Sequence, residues 1–490
     1  MTYLFLTLDL GTRGCKCGVI NEKGELITNS FFKYPIFSPR PGWIEQDPTL
    51  YWVAVKETVR DCLKQIKEKR DNIVSITVTG QDQTLVVVNK NGKILRNAMI
   101  WMDNRSHKES NYIKKALGVF FPPTFNLPKL LWLRNNEPKT FSKIYKALSC
   151  KGYVYYKLTG RFAVDFHFED LLYILEKREW DSEKLSILGI PSDIMPELFV
   201  SGEIVGYILP EVARELNLPK NIPIIAGGPY DTDVGKIGLG LVKPGDAGII
   251  GGTSASYSIL VERRVKDPKN RVLSKPNGIN HKLWEVEAIM STAGGAFEWF
   301  VNNFFLGSEE ERYNAAIKEA HEVSAGSNNL LFLPHLSGER SPYWSDVPKG
   351  AFIGITLSHN RKHFSRAVLE GIAFMFRLYT EIFEEMGIDK PKIIKFGGGM
   401  TKNTLWLHII SDVLDTTLQV PMIITAELIG GAIIASVTLN VYKDLPAAAE
   451  NMVKIKEEII PSTNNKQTYD KSYKTFKKLY PALEPIFLTM

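Results

Sequence analysis

The fold is decided by residues 3–20, which read YLFLTLDLGTRGCKCGVI. The apolar run 3–9 predicts a β-strand, and residues 16–20 predict a second strand that leads into an Asn-Glu-Lys-Gly turn. The glycine-bearing turn between the two strands makes the pair a β-hairpin. The pattern returns at residues 247–261, AGIIGGTSASYSILV, where two strands again flank a glycine-threonine turn. Two such hairpins about half a chain apart predict two related halves, each opening with a turn that faces a phosphate.

The remaining hydrophobic pattern predicts a mixed α/β chain. Residues 73–78 and 84–88 read as further strands, and an Asn-Gly pair after them supplies the tight turn that a hairpin favours. Residues 362–385 and 406–414 carry apolar side chains at helical spacing. Long helices are therefore expected mainly in the second half.

The length and the repeat together predict two domains. A chain of 490 residues usually contains more than one hydrophobic core. No flexible linker is visible in the sequence, so the boundary near residues 240–244 is inferred from the repeat. The predicted domains are 1–242 and 243–490.

Composition argues against several classes of protein. The net charge of +6 comes from 60 basic and 54 acidic residues spread along the chain, which does not favour a nucleic-acid partner. The first residues lack the basic stretch of a signal peptide, and no apolar stretch approaches the roughly 18 residues of a membrane span. The four cysteines are too few for a disulfide framework, and Cys15 and Cys17 are interpreted as packing residues rather than metal ligands. We therefore expect a cytoplasmic protein.

The first hairpin turn carries the residue types that phosphate and magnesium require. Asp9, Gly11 and Thr12 stand at the end of the first strand, and Lys16 follows on the second. Glycine lets backbone N–H groups approach phosphate oxygens, a hydroxyl adds a donor, and a carboxylate can hold Mg²⁺ directly or through water. Taken alone, such a turn is as typical of a purely structural role as of a phosphate site.

Two later glycine runs favour a nucleotide site. The turn at residues 251–254 would enclose phosphates from a second side. The run at residues 397–399 precedes a predicted helix and leaves a backbone surface on which adenosine could lie.

A candidate catalytic base follows the strand predicted at residues 223–226. The sequence Gly-Gly-Pro-Tyr-Asp delivers Asp231 from the end of that strand to the start of a glycine-spaced helix. This position suits both a carboxylate in a cleft and a helix N-cap, and the spacing does not choose between them. Asp233 is the competing candidate.

Four motifs in the right order resemble those of a known family. They are PGWIEQDP at 41–48, WMDNR at 101–105, GERSP at 338–342 and RAVLEG at 366–371. With these motifs the chain resembles the FGGY carbohydrate kinase family from Asp9 to a helix at 427–435. In general appearance it is most similar to pentulose kinases such as xylulokinase.

This resemblance implies an α/β fold of two actin-like (ribonuclease H-like) domains with an ATP cleft between them. The domain 1–242 would bind the sugar and supply the base, and the domain 243–490 would bind ATP. The implied reaction transfers the γ-phosphate of ATP, with Mg²⁺, to a hydroxyl of an open-chain sugar such as xylulose or ribulose. The alternatives are a kinase of another polyol, hexulose or aldonate, an actin-like ATPase, and a sugar sensor without catalysis.

The resemblance also implies roles for single residues. Asp231 is the general base, because glycines 235, 238 and 240 behind it align in step with the family and disfavour Asp233. Asp9 holds Mg²⁺, directly or through water. Besides Asp231, the implied sugar contacts are Gln81, Asp82, Gln83, Trp101, Asp103 and Arg105. The implied ATP contacts are Gly11, Thr12, Arg13, Lys16, Gly252, Thr253, Ser254, Gly294, Gly295, Gly398, Gly399 and Asn403.

Three departures from the family pattern bear on the substrate. Arg13 stands where a small hydroxyl residue is usual, which makes the phosphate end more cationic. The pair Asp82-Gln83 replaces the Met-His of xylulokinases, which puts xylulose itself in doubt. The segment 164–170, which includes His167, replaces a run of small residues and is expected to reshape the sugar pocket.

Several of these side chains also have simpler interpretations. Trp43 and Trp101 are typical of core aromatics as well as of a sugar site. Glu339 and Arg340 are interpreted as an internal ion pair of the second domain rather than as catalytic groups. The expected partner is a small-molecule sugar, with no nucleic acid and no membrane. Whether the chain forms a homodimer is left open.

Overall fold

The computed structural model describes residues 2–166, 172–174, 177–423 and 425–490. In chain order, its strands are β1 Leu4–Leu10, β2 Gly14–Asn21, β3 Leu26–Lys33, β4 Phe37–Arg40, β5 Trp43–Gln46, β6 Ile73–Gly80, β7 Val86–Val88, β8 Ala98–Met99, β9 Lys146–Leu148, β10 Ala163–Asp165, β11 Tyr173–Ile174, β12 Glu179–Trp180, β13 Glu197–Phe199, β14 Ile204–Tyr207, β15 Pro223–Ala226, β16 Ala247–Gly251, β17 Ala255–Val261, β18 Leu273–Pro276, β19 Trp284–Met290, β20 Leu331–Leu333, β21 Ala351–Ile353, β22 Ile393–Gly397, β23 Thr417–Pro421 and β24 Ile455–Ile459. Its α-helices are α1 Thr49–Ile66, α2 His107–Leu117, α3 Asn126–Asn136, α4 Pro138–Phe141, α5 Cys150–Thr159, α6 Ser182–Ile187, α7 Pro210–Leu216, α8 Asp231–Gly238, α9 Gly294–Phe304, α10 Glu309–His321, α11 Arg361–Glu385, α12 Thr404–Leu414, α13 Ala426–Thr438, α14 Leu445–Met452 and α15 Lys466–Phe487.

Two central sheets repeat one strand order. The first runs β3-β2-β1-β6-β15-β14, and the second runs β19-β17-β16-β22-β23-β24. The second sheet also has β18 as an additional strand beside β19. In the first sheet β1 pairs antiparallel with β2 and parallel with β6. In the second sheet β16 pairs in the same two ways with β17 and β22. The repeated hairpins of the sequence are therefore the matching inner strands of two sheets with the same topology.

By its internal contacts the chain divides into two compact units. The first unit comprises Met1–Gly238 and Glu427–Met452, and the second comprises Leu239–Ala426 and Val453–Met490. Helices α13 and α14 therefore belong to the first unit although they come late in the sequence. The domain limits inferred from the repeat stay predictions.

The first unit gathers several strand ends at one edge of its sheet. Strand β1 is buried along its whole length, and it pairs in parallel with β6, which pairs in parallel with β15. The chain leaves β1 at Leu10 and leaves β6 at Gly80, and these two residues are partners in register. Residues that follow these strands therefore meet at the same edge, as in other sheets with parallel inner strands.

The second unit is built around α11, a helix of 25 residues with a continuous buried face. Within it, Arg366 pairs with Glu370 at 2.8 Å, and both side chains are buried. The predicted ion pair of Glu339 with Arg340 is wrong. Among the described residues, the buried Glu339 carboxylate pairs with His335 at 3.0 Å, while Arg340 is exposed.

All four cysteines are buried and have free thiols. Among the helices of the described chain, none combines the length and the apolar character needed to cross a membrane.

Candidate active site

An ion pair across the first hairpin begins the candidate site. Asp9 and Lys16 are cross-strand partners, and the Lys16 ammonium lies 2.9 Å from Asp9 Oδ2. Asp9 is almost fully buried, and its Oδ1 atom has no hydrogen-bond partner among the described residues. A buried carboxylate oxygen without a partner is costly unless a ligand completes it.

Asp231 lies at the start of α8, directly after the turn that follows β15. Its Oδ1 atom accepts the backbone N–H of Thr232 at 2.7 Å. Burial, together with the negative charges of Asp9 and Glu427, raises the pKa of Asp231 to about 7, against the lowering effect of the Thr232 N–H and the Lys16 ammonium. This carboxyl can therefore gain and lose a proton near neutral pH.

Glu427 is a member of this cluster that sequence reasoning did not assign to the site. It lies in the first turn of α13, and its Oε2 atom is 3.4 Å from the Lys16 ammonium. Burial and the charge of Asp9 raise the pKa of Glu427, although Lys16 opposes the rise. Burial alone would lower the pKa of Lys16, but the charges of Asp9 and Glu427 outweigh that effect and raise it. The Lys16 ammonium therefore interacts electrostatically with three carboxyl groups, those of Asp9, Glu427 and Asp231.

The close approach of α13 to α8 explains the paired glycines in α13. A Cβ on Gly430 would lie 1.9 Å from the backbone oxygen of Val234, and a Cβ on Gly431 would lie 2.4 Å from Thr7 Cγ2. Only glycines allow α13 to contact both α8 and β1, and this contact brings Glu427 to the Asp9 and Lys16 pair.

Three side chains from elsewhere in the first unit hold the turn between β1 and β2. Tyr34 donates its hydroxyl to the Gly11 carbonyl at 2.6 Å. Gln46 donates from Nε2 to the Thr12 carbonyl at 2.7 Å, and Trp101 donates from Nε1 to Thr12 Oγ1 at 2.9 Å. The backbone of the turn is thus fixed from outside. The predicted ATP contact Arg13 has an exposed side chain.

Gln81, the first predicted sugar contact, continues from the end of β6 beside β1. Its backbone N–H donates to Leu10 O at 2.9 Å, and its Nε2 donates to Gln46 Oε1 at 2.8 Å. Its side-chain oxygen is buried and has no hydrogen-bond partner among the described residues. Gln46 was present in the sequence motif at 41–48 but was not predicted to support the site.

Gln83, another of the predicted sugar contacts, is held in a strained conformation. Its φ angle of 51° lies in the left-handed region that residues other than glycine seldom adopt. The Gln83 carbonyl accepts from the Lys129 ammonium at 2.6 Å, and its side-chain oxygen accepts from the Asn126 N–H at 2.9 Å. Burial lowers the pKa of Lys129 to about 7. Strain that neighbouring residues maintain in this way is a common property of ligand-binding loops.

Asp103 and Arg105 form a buried network, whereas Trp101 is exposed. Asp103 Oδ2 accepts the Ile44 N–H at 2.6 Å, and the Arg105 guanidinium lies 2.6 Å from the same atom and 2.7 Å from Glu45 Oε1. The guanidinium stacks 3.8 Å from the centre of the Trp43 ring. Trp43 thus packs within the network, and the predicted sugar contacts of Asp103 and Arg105 stay predictions.

A small cavity lies beside Asp82. It encloses about 70 Å³, and its polar lining is Asp82, Asn126, Ser149 and Asp165. Phe121 and Trp180 are among its apolar neighbours, and aromatic rings with a few polar groups are the usual lining of a small-molecule pocket. Residues 167–170 of the segment expected to reshape the pocket, including His167, lie outside the described residues.

Three glycine runs converge in the second unit. A Cβ on Gly294 would lie 2.5 Å from the Gly252 carbonyl oxygen, and a Cβ on Gly398 would lie 2.4 Å from the Gly251 oxygen. Gly295 donates its N–H to the Thr253 carbonyl at 3.0 Å. The three runs are therefore one packed surface of backbone, and these approaches require glycine. Of the predicted ATP contacts, Ser254 and Gly399 belong to the same runs.

Asn403 links this surface to α12. Its side-chain oxygen caps the helix by accepting the Trp406 N–H at 3.1 Å. Its Nδ2 atom is buried and lacks a hydrogen-bond partner among the described residues, so a donor is left for a ligand.

Comparisons with known proteins cover nearly the whole chain. A model of the N-terminal domain of the FGGY family of carbohydrate kinases matches residues 4–238, and a model of the C-terminal domain of that family matches residues 247–439.

Individual relatives agree with the family models. The chain is 31% identical to a xylulose kinase of Lactococcus lactis subsp. lactis, over 98% of this chain and 97% of the relative. It is 26% identical to a gluconokinase of Bacillus subtilis, over 98% and 95% of the two chains. A crystal structure of a "xyloylose kinase" from Brucella ovis superposes with a TM-score of 0.85 and 26% identity, covering 99% of this chain and all of that one.

Proposed function

This chain belongs to the FGGY family of carbohydrate kinases and is an ATP-dependent sugar kinase, and from that premise we propose that it phosphorylates xylulose, with Asp231 as general base. The observation that carries the proposal is the Asp231 carboxyl, whose pKa is raised to about 7 beside Asp9 and Glu427. A general base is most effective when its pKa lies near the working pH. The family membership also confirms the predicted α/β fold with two actin-like domains.

Asp231 is proposed to take the proton of the sugar hydroxyl as that oxygen attacks the γ-phosphorus of ATP. Phosphoryl transfer asks little covalent chemistry of the protein, because positioning and charge stabilisation supply most of the rate. The start of α8 keeps the carboxylate oriented through the Thr232 N–H at 2.7 Å. The Lys16 ammonium lies within reach of the same cluster and would offset negative charge on the transferred phosphate.

Asp9 is the residue proposed to hold Mg²⁺. Its buried Oδ1 atom, which has no hydrogen-bond partner in the described part of the chain, fits a cation or a cation-bound water. When bound, the ion would neutralise charge on the phosphates. Thr12 and the backbone of the turn at Gly11 would donate to phosphate oxygens, and the bonds from Gln46 and Trp101 keep that turn in shape.

The packed glycine surface of the second unit is proposed to bind ATP, with the turn at Gly252, Thr253 and Ser254 on the phosphates and the stretch from Gly398 to Asn403 on the adenosine. The residues proposed for this contact are Gly252, Thr253, Ser254, Gly294, Gly295, Gly398, Gly399 and Asn403. The glycines of this surface leave the backbone bare. The Asn403 Nδ2 donor lacks a partner among the described residues, which supports the assignment of Asn403 to the nucleotide.

Xylulose is the first candidate substrate because xylulose kinases recur among the similar proteins, at 31% identity in one case, and this recurrence outweighs the departure at Asp82-Gln83. Gluconate is the second candidate, since a gluconokinase is also similar. Asp82 would supply a carboxylate at the sugar and so disfavour an anionic substrate. The predicted cytoplasmic location and the homodimer stay predictions.

We expect the activity to decline at acidic pH with a midpoint near 7. Asp231 accepts a proton only when ionised, and its pKa is about 7. Below that pH, kcat/KM for the sugar should fall about tenfold for each pH unit, and above it the value should be level. Glu427→Gln removes a neighbouring negative charge, so the pKa of Asp231 should fall and the midpoint should move to lower pH. A wild-type midpoint near the ordinary carboxyl value of about 4 would contradict the assignment.

The substrate proposal is tested by ADP release with xylulose, ribulose, a hexulose, gluconate or glycerol at fixed ATP and Mg²⁺. We expect saturable turnover with xylulose, weaker turnover with ribulose, and little with gluconate. A higher kcat/KM for gluconate or glycerol than for xylulose would contradict the proposed substrate, but the chain would still be a carbohydrate kinase. ADP release that no sugar changes would indicate the ATPase alternative, and sugar binding without ADP release would indicate the sensor.

A further inference from the structure

A fully buried lysine supports the turn that leads to Asp231. Lys151 lies in α5 of the first unit, and its ammonium donates to the carbonyl oxygens of Gly228 and Pro229, both at 2.6 Å. The same ammonium lies 3.2 Å from Asp165 Oδ2. Burial alone would lower the pKa of Lys151, but the charges of Asp165 and Asp82 outweigh it and raise the pKa, so the group is a cation.

Asp165 holds the same turn from its N–H side. Its Oδ1 atom accepts the Gly228 N–H at 3.2 Å and the Tyr155 hydroxyl at 3.0 Å. Gly228 is thus held at its N–H by Asp165 and at its carbonyl by Lys151. Its φ angle of 138° is one that only glycine adopts readily, so the turn needs such support to stay in this conformation.

The opposite side of the turn is also fixed. A Cβ on Gly227 would lie 2.5 Å from the Val78 carbonyl oxygen, which shows how closely this backbone packs on β6. Tyr155 reaches that same carbonyl at 3.2 Å. The turn between β15 and α8 is therefore set by one glycine contact and one buried ion pair.

We propose that Lys151 and Asp165 are positioning residues for the reaction, which act by fixing the turn that carries Asp231. This inference rests on the proposed role of Asp231 as general base. Only Tyr230 separates Pro229 from Asp231, so a shift of the Pro229 carbonyl moves the carboxylate directly. A buried ion pair contributes little net stability compared with apolar residues of similar size, so folding alone does not account for this one. A displacement of about 1 Å at a reacting group can cost about 100-fold in rate.

The test is Lys151→Met combined with Asp165→Leu, so that neither member of the ion pair is left without the other. We expect kcat to fall about 10- to 100-fold, while KM for ATP stays near the wild-type value. A purely structural role predicts the opposite pattern, in which a folded double variant keeps its kcat. Wild-type kcat in that folded variant would overturn the proposal.

A milder variant keeps the test decisive if the double variant does not fold. Tyr155→Phe removes one hydroxyl that supports Asp165, and we expect kcat to fall about two- to tenfold with KM for ATP unchanged. An unchanged kcat in this variant would overturn the proposal.

The matched control is the buried pair of the second unit, Arg366 with Glu370, replaced by Met and Leu. It should lower the melting temperature but leave kcat of the folded protein within about twofold, since it touches no residue of the turn. An equal loss of kcat in this control would also count against positioning. Asp231→Asn is measured beside these variants. If Asp231→Asn keeps wild-type turnover, the proposed function fails. If Asp231→Asn loses its turnover while the Lys151 and Asp165 double variant keeps full activity, only the positioning proposal fails.

Discussion

Asp231→Asn is expected to lower kcat about 10²- to 10⁴-fold while leaving KM for ATP within about threefold of wild type. The amide keeps the shape of the carboxylate and can still accept the Thr232 N–H, but it cannot take a proton from the sugar hydroxyl. The variant should fold well, because it removes a negative charge beside Asp9 and Glu427. Steady-state kinetics with both substrates varied, together with a thermal melt, measure the effect.

Asp233→Asn is the matched control for that variant. Asp233 is a buried carboxylate in the same helix, and it lies 3.5 Å from the Lys236 ammonium. Its loss should change stability more than catalysis. Full activity in Asp231→Asn with a large loss of kcat in Asp233→Asn would reassign the base.

Gly398→Ala is expected to raise KM for ATP about 10- to 100-fold. The Gly398 φ of 88° with ψ of −175° is available almost only to glycine, and a Cβ there would lie 2.4 Å from the Gly251 oxygen. The strain alone costs about 1–3 kcal/mol, and the turn at 251–254 must also shift. Initial rates over a range of ATP concentrations at saturating sugar measure the change.

Gly387→Ala is the control for the backbone strain. Gly387 has a similar φ of 80°, but a Cβ there would meet no atom within 4 Å. We expect it to cost stability without changing KM for ATP. If Gly398→Ala binds ATP as tightly as this control does, the glycine surface is not the nucleotide site.

The fold was predictable because its repeated hairpins are formed by residues that lie close together in the sequence. Each hairpin is a short apolar run, a glycine turn and another run, and these residues pair with each other in the structure as β1 with β2 and β16 with β17. The two longest helices, α11 and α15, do lie in the second half. Helix α1, with 18 residues, was not predicted, although its apolar side chains recur at helical spacing.

The site was less predictable because its partners are far apart in sequence. Lys16 and Glu427 are separated by 411 positions, and the packing of Gly430 on α8 and of Gly431 on β1 brings them together. The turn around Thr12 depends on Gln46 and Trp101, which a local pattern does not connect to it.

The misassigned Glu339 shows a second limit of sequence reasoning. Adjacent opposite charges suggested a pair with Arg340, but the backbone directs the two side chains differently, and Glu339 faces His335 inside the core. Lys151 gave no signal either, because its acceptors are backbone carbonyls 77 and 78 residues away.

The most direct test of the central claim is to follow ADP and sugar phosphate together in one reaction of wild-type protein with ATP, Mg²⁺ and xylulose. The account predicts that a xylulose phosphate ester and ADP form in equal amounts, that neither forms when xylulose is omitted, and that both form about 10²- to 10⁴-fold more slowly when Asp231 is replaced by Asn. Formation of ADP with inorganic phosphate instead of an ester, at a rate that xylulose does not change, would contradict it.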